Sequence, residues 1–279
     1  MNRPSITLGN ARTIDEVIWQ LDQIIAMSIE NKSKIGYFAS LYRMVTVRVK
    51  TGILNNEFED GVRMERLDVC FANYYLNALN DYLNGKPTSL SWQVAFRCTR
   101  KRSPILLQHL LLGMNAHINL DLGVAAAMTG KNADILALKE DFMKINSILA
   151  SLVDEVRGDL DQISPWIGFL DRIDPNASKA IINFSMEKAR NYAWDFAQKL
   201  AAAKESDWEQ LIINRNHEIE AIGKKVAYPG IWMLKAGLWV ICLRESNNIG
   251  RNMDLLNDHK FESKERAVFN FYKKKRGTF

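Results

Sequence analysis

Cysteine is scarce and scattered: Cys70, Cys98 and Cys242 are the only three in 279 residues. An odd number without a C-x-x-C pair excludes a disulfide framework and a thiolate zinc site, leaving buried reduced thiols as the expectation. With only 6 prolines and 15 glycines, the chain lacks the turns that many short strands would need, which favours helices. There is no glycine-rich phosphate loop, no G-x-S-x-G and no H-E-x-x-H, so the common nucleotide-binding and hydrolase signatures are missing. No unit of roughly 20–50 residues repeats, which argues against a helical solenoid. The longest apolar run, Ile231 to Leu243, is 13 residues and is interrupted by Lys235. A bilayer needs about 20 residues, so a core helix is expected and no transmembrane segment. Met1 to Arg12 lacks the apolar centre of a secretory signal, which leads to the expectation of a cytoplasmic protein.

What is present suits a helical core. The chain is 47% hydrophobic, enough at this length to bury a core without metal or disulfide staples. The net charge of +5 is concentrated at the end: residues 260–279 hold seven Lys/Arg and two Glu, leaving the rest neutral. A nucleic-acid-binding body would carry its own basic face, so a nucleic-acid partner is not expected. Lys273-Lys274-Lys275-Arg276 is expected to be a solvated tail. The expected organisation is one helical domain over residues 1–259 followed by a basic tail, 260–279.

Thr13-Ile14-Asp15-Glu16 has capping-box form and starts a helix with Val17, Leu21, Ile24 and Ile25 on one face. Further helices are expected over 33–53, from a cap at Asp60 to Tyr82, over 91–101, and over 134–156. Others follow over 178–203, 206–226 and 231–244. Ser164-Pro165 and Asp174-Pro175 punctuate the middle.

The helix from Ile105 to Met128 is apolar nearly all round and should lie at the centre of the fold. It nevertheless carries His109, Asn115, His117, Asn119 and Asp121. Burying such groups unpaired costs roughly 1–3 kcal/mol each, so each must find partners. His117 and Asp121, four residues apart, share a face about 40° from each other. Asn115 and Asn119 form a similar pair on roughly the opposite side, and Gly113 permits close approach of another helix. Two readings follow. The pair is either part of a polar network that sets helix register, or a nitrogen-and-oxygen ligand pair for zinc, iron or manganese.

A second constellation lies in the third helix. Glu65 and Asp68 are i,i+3 neighbours, and Asp68 borders the apolar stripe of Val69, Ala72 and Leu76. A salt bridge to Arg43 or Arg48 on the preceding helix is expected, and a buried Arg43–carboxylate pair could also hold an anionic substrate. His217 sits among charged residues and reads as a surface histidine. Arg190 and Trp194, an i,i+4 pair, are expected to stack.

The stretch Leu110 to Ala125, with Asn115-Ala116-His117-Ile118-Asn119 followed by Asp121-Leu122, resembles the "NAHIN-x-DL" hallmark of a bacterial family of uncharacterised helical proteins. Phe58-Glu59-Asp60 to Tyr75 and Ser91-Trp92 to Phe96 resemble it too, over roughly residues 35–245 in all. The resemblance implies an all-helical fold and supplies no reaction. A fainter similarity links His117-x-x-x-Asp121 to the buried H-x-x-x-D pair of zinc-dependent phospholipase C and the P1-type nucleases. Ala127 stands where those enzymes place their next histidine, and only His109, His217 and His259 remain, which excludes a trinuclear site.

These observations lead to an all-α, single-domain multi-helix bundle with a central buried helix near residues 105–128. The functional expectation is a hydrolase of an ester or phosphoester. His117 and Asp121 would hold a single divalent transition metal, Glu65, Asp68 and Arg43 would assist catalysis, and Asn115 and Asn119 would contribute to a cofactor or ligand site. Such a metal would lower the pKa of a bound water toward about 7. The alternative is a non-enzymatic module that binds an apolar or anionic small molecule, or serves as a scaffold.

Overall fold

The computed structural model describes residues 8–131, 135–164 and 186–257. Among them are eleven α-helices and no strand. The first four are α1 (Ile14–Glu30), α2 (Gly36–Leu54), α3 (Gly61–Leu83) and α4 (Leu90–Thr99). The central helix comes next in three parts: α5 (Leu106–Ala116), a π-helical turn (His117–Asp121) and α6 (Leu122–Gly130). Then follow α7 (Lys139–Ile163), α8 (Met186–Ala202), α9 (Glu205–Ala227), α10 (Trp232–Arg244) and α11 (Ile249–Asn257). The expectations for Asp174-Pro175, for residues 178–185 and for the tail fall outside the described residues, as does His259.

Local chemistry sets the helix starts. Thr13 Oγ accepts from the Glu16 amide at 3.2 Å, and the Glu16 carboxylate returns to the Arg12 amide at 2.7 Å. Asp60 caps α3 by accepting from the Arg63 amide at 2.8 Å. Each bond satisfies a donor that the first turn leaves orphaned. Glu65 accepts from the Ile14 amide at 3.2 Å and so tethers α3 to the start of α1.

The central helix is walled in by α2, α3, α4, α8 and α9, with α7 packed on α2 and α8. Its length and composition would let Leu106–Gly130 cross a membrane, but 94% of its most apolar window is buried inside the fold. That burial marks it as the core helix. The close approach expected at Gly113 is made by α2: a Cβ there would lie 2.3 Å from a ring carbon of Phe38. Gly113→Ala should therefore destabilise the fold. Alanine gains up to about 1 kcal/mol of helix propensity, but overpacking against a buried ring costs roughly 1–3 kcal/mol. Thermal unfolding of this variant would check the sign; a raised melting temperature would contradict the packing.

Candidate functional site

The polar residues of the central helix divide between two sides. On one, Asn119 Nδ2 donates to Asn115 Oδ1 at 3.1 Å, and Asn115 Nδ2 donates to the Ile219 carbonyl of α9 at 2.9 Å. Arg215 Nε donates to the Asn119 carbonyl at 3.0 Å. These asparagines fasten α9 to the core and do not line the cavity described below.

On the other side the helix widens. The Leu122 amide reaches the carbonyl of His117, five residues back, which defines the π turn. Such turns are rare and recur at functional sites, because the extra residue re-aims side chains within a continuous helix. Here it brings His117 Nδ1 to 3.2 Å from Asp121 Oδ2, and Trp92 Nε1 donates to the same oxygen at 2.8 Å. Indole nitrogen can only donate. With the imidazole proton on Nδ1, two donors converge on Asp121 Oδ2 and the lone pair of Nε2 is left free. That Nε2 is buried and has no partner.

Aromatic rings enclose the imidazole. Phe71 stacks on it, centroids 3.5 Å apart and planes within 8°, and Tyr42 meets it edge-on at 4.6 Å. Burial in this box pushes the His117 pKa well below its ordinary value, which keeps the ring neutral. Burial likewise pushes Asp121 well up, with the Trp92 hydrogen bond opposing it.

Asp68 is one turn before Phe71 on α3. Burial, and then the charge of Glu65, raise its pKa to about 7, and its Oδ2 has no partner. The Tyr42 hydroxyl is pushed well up by burial and then by the Asp68 carboxylate. The Tyr75 hydroxyl is buried without a partner as well. Asp68 does not take the arginine expected for it. Arg43 Nε bonds Asp22 of α1, its Nη1 bonds Asn257 Oδ1 of α11 at 3.3 Å, and Arg48 pairs with Glu57 at 2.9 Å. Arg43 sits on the face of α2 turned to α1 and α11, so the expected pairing of Arg43 with Asp68 is replaced by these contacts.

Asp68 and His117 both line a cavity of about 610 Å³ between α2, α3, the central helix, α7 and the first turns of α8. Its walls are Leu, Ile, Val, Met and Phe apart from a few polar groups. One of these was not connected to a site by the sequence: Arg190, buried on α8. Its Nε donates to Asn146 Oδ1 at 2.6 Å, Nη2 donates to the Phe142 carbonyl, and its guanidinium lies 4.5 Å over the Phe142 ring. The expected stacking on Trp194 is thus replaced by stacking on Phe142, which α7 inserts between them; Trp194 packs on Phe142 in turn at 4.9 Å. All of these partners are neutral. Burial lowers the Arg190 pKa to about 9, as expected for a cation without a carboxylate beside it.

A metal centre fares less well. Among the described residues no three His, Cys, Asp or Glu side chains gather where they could hold an ion. His117 Nδ1 and Asp121 Oδ2 point at each other and not at a common third point, and the Glu65 carboxylate is engaged at the start of α1. His217 is exposed, as expected.

Residues 14–229 match the model of a family described as "Family of unknown function (DUF5995)". The chain belongs to DUF5995. The match runs from the first residue of α1 to just beyond α9, so every residue lining the cavity, Phe38 to Arg190, lies within the DUF5995 region. α10 and α11 lie beyond it. No curated protein and no solved structure matches the chain.

Proposed function

We propose that this protein binds a small molecule with an apolar body and an acidic group, held in the cavity with its acid on Arg190. The observation that carries this reading is a buried arginine, without an anionic partner among the described residues, opening onto an apolar cavity of about 610 Å³. Ligand cavities commonly span about 300–1,000 Å³ and use few polar groups to fix orientation. An isolated buried cation is costly unless an anion joins it, and a ligand acid would supply that anion. Exposed Asp161 and Glu187 line the same cavity where α7 and α8 reach solvent, which gives a ligand a way in.

The test uses a fluorescent long-chain fatty acid. Wild-type protein should bind it, and Arg190→Met should weaken binding at least about tenfold, the worth of one lost charge-assisted hydrogen bond of roughly 1.5–3 kcal/mol. Arg190→Met removes a buried charge and fills similar volume but takes a donor from Asn146 and Phe142, so circular dichroism is used to show that the variant is folded before its binding is compared. Binding unchanged in both Arg190→Met and the cavity-filling Met114→Trp would refute the proposal.

A second reading rests on a separate observation, the free Nε2 of His117 backed by Asp121 in a cavity also lined by Asp68, whose pKa burial raises to about 7. These groups suit proton transfer: His117 would take a proton from a water attacking an ester in the cavity, with Asp121 stabilising the imidazolium. This keeps the hydrolase expectation for an ester or phosphoester without requiring the single divalent metal. Turnover of an aryl acyl ester, lost in His117→Ala and unaffected by a chelator, would support it.

A further inference from the structure

The neutral sum of the body conceals a polarised surface. Between Asp81 and Asp121, and again between Glu220 and Glu245, the chain has no acidic residue at all. These two stretches hold nine of the 37 Lys/Arg and none of the 32 Asp/Glu. Tertiary structure joins them. Lys101 Nζ lies 4.4 Å over the ring of Tyr228, and Cys242 Sγ bonds the Arg102 carbonyl at 3.4 Å. Lys34 holds the 101–104 loop in place by donating to the carbonyls of Lys101, Arg102 and Pro104 at 3.2–3.3 Å. Arg97, Arg100, Lys101, Arg102, Lys225, Lys235 and Arg244 are all exposed.

In the midst of these cations lies α10, whose two faces differ from those of an ordinary surface helix. Leu234, Leu238 and Ile241 pack on Ile105 and Leu111 of the central helix. The opposite face should then be polar. Instead Trp232 is 74% exposed, Trp239 59% and Leu243 60%, at positions i, i+7 and i+11 of one stripe, with Met233, Ile231 and Tyr228 exposed beside them. Lys235 and Ala236 are the other members of that stripe. Glu245, the acid that ends the stretch, turns inward and accepts from the Leu106 amide at 2.9 Å, so it does not offset the surface charge.

We infer that α10, with the end of α4 and the 101–104 loop, is a docking face for an anionic lipid bilayer. Tryptophan, leucine and methionine would enter the headgroup boundary, with α10 in the plane of the interface. The surrounding lysines and arginines would meet lipid phosphates, and their long stems can cover apolar surface while the charged ends stay wet. Charge complementarity selects this occupant, since a second copy of the chain would bring the same positive charge to the contact. A nucleic-acid groove offers no place for exposed Leu243, Met233 and Ile231. The inference does not depend on the cavity, although the docking helix packs on Leu111, which also lines the cavity.

The experiment is cosedimentation of the full chain with vesicles of phosphatidylcholine containing 30% phosphatidylserine. Wild-type protein should sediment in low salt and be released by 0.5 M NaCl, as interfacial charge is screened. Trp232→Ala/Trp239→Ala should reduce binding by about tenfold or more, because it removes the two largest interfacial anchors. Lys235→Glu/Arg102→Glu should do the same with anionic vesicles alone. All four side chains are exposed, so both double variants should keep the wild-type circular dichroism and melting temperature. The inference is overturned if wild-type protein ignores anionic vesicles, or if the tryptophan variant sediments as well as wild type. It is equally overturned by a dimer or a duplex-oligonucleotide complex that the tryptophan variant abolishes.

Discussion

Asp121→Ala should lose about 3 kcal/mol of stability or more, from two buried donors left unpaired at roughly 1–3 kcal/mol each and a small cavity besides. Trp92 Nε1 and His117 Nδ1 both end on Asp121 Oδ2, and all three side chains are buried. With both donors buried, the loss of their shared oxygen is costly. The carboxylate charge itself is a burden, since burial pushes the Asp121 pKa well up. Asp121→Asn keeps an acceptor without the charge and should therefore stay within about 1 kcal/mol of wild type. The amide oxygen in the place of Oδ2 can accept from both Trp92 Nε1 and His117 Nδ1. Chemical denaturation of the two variants separates the effects. A loss below about 1 kcal/mol in Asp121→Ala would mean that the shared oxygen does not organise this part of the core.

Asp68→Asn should become more stabilising, relative to wild type, as pH rises, gaining about 4 kcal/mol between pH 4 and pH 8. The folded pKa of Asp68 is about 7 against an ordinary 3.8, raised by burial and then by Glu65. The native state therefore holds this proton more tightly than the unfolded chain does. Its contribution to stability is fully present below pH 3.8 and is lost as pH rises through 7. His109 has the opposite sign. Burial, with Lys34 nearby, lowers it from 6.5 to about 3, so its contribution is present above pH 6.5 and is lost as pH falls toward 3. The two slopes oppose each other between pH 4 and 6.5 and flatten the wild-type profile. Replacing Asp68 removes one of the limbs that fall with pH and should tilt the profile toward a rise of stability with pH. Unfolding midpoints at pH 4, 6 and 8 provide the measurement, and a difference from wild type that does not change with pH would refute the buried, partnerless state of the Asp68 carboxyl. Any constant effect of the new amide cancels in this comparison.

Reading the residues in order recovers much of this architecture. Thr13 and Asp60 announce helix starts because a cap needs only a side chain within three residues of the amide it serves. Ile105 to Met128 announces itself as central because no face of it is polar enough for water. Gly113 signals a close neighbour because a missing Cβ is useful only where something fills its place. The last helix among the described residues, Ile249–Asn257, gives little signal in the sequence; it is short, and its buried face is only Asn252, Met253 and Leu256.

The site was legible only in part. His117, Asp121 and Asp68 stand out as polar residues on apolar stripes, a local property of the chain. Trp92 could not be read as the donor to Asp121, nor Phe71 as the ring over His117, because those partners are 29 and 46 positions away and meet only when α3, α4 and the π turn pack. The error over Arg43 has the same origin. Spacing places it near Asp68 on an adjacent helix, whereas rotation of α2 about its own axis turns it to Asp22. Arg190 was read as a stacking partner of Trp194, and the cavity beside it could not be read at all, since a cavity is a property of walls contributed by several helices.

The amino-acid order alone determined the helical class, most helix starts and the identity of the polar groups sent into the core, because caps and apolar periodicity act within a few residues. Tertiary packing decided the rest: the widened turn at His117–Asp121, the oxygen shared by Trp92 and His117, the neutral partners of buried Arg190 and the joining of two acid-free stretches into one cationic, tryptophan-bearing face. Each of these depends on the relative rotation of helices far apart in the chain, and only the combined fit of all their side chains sets that rotation.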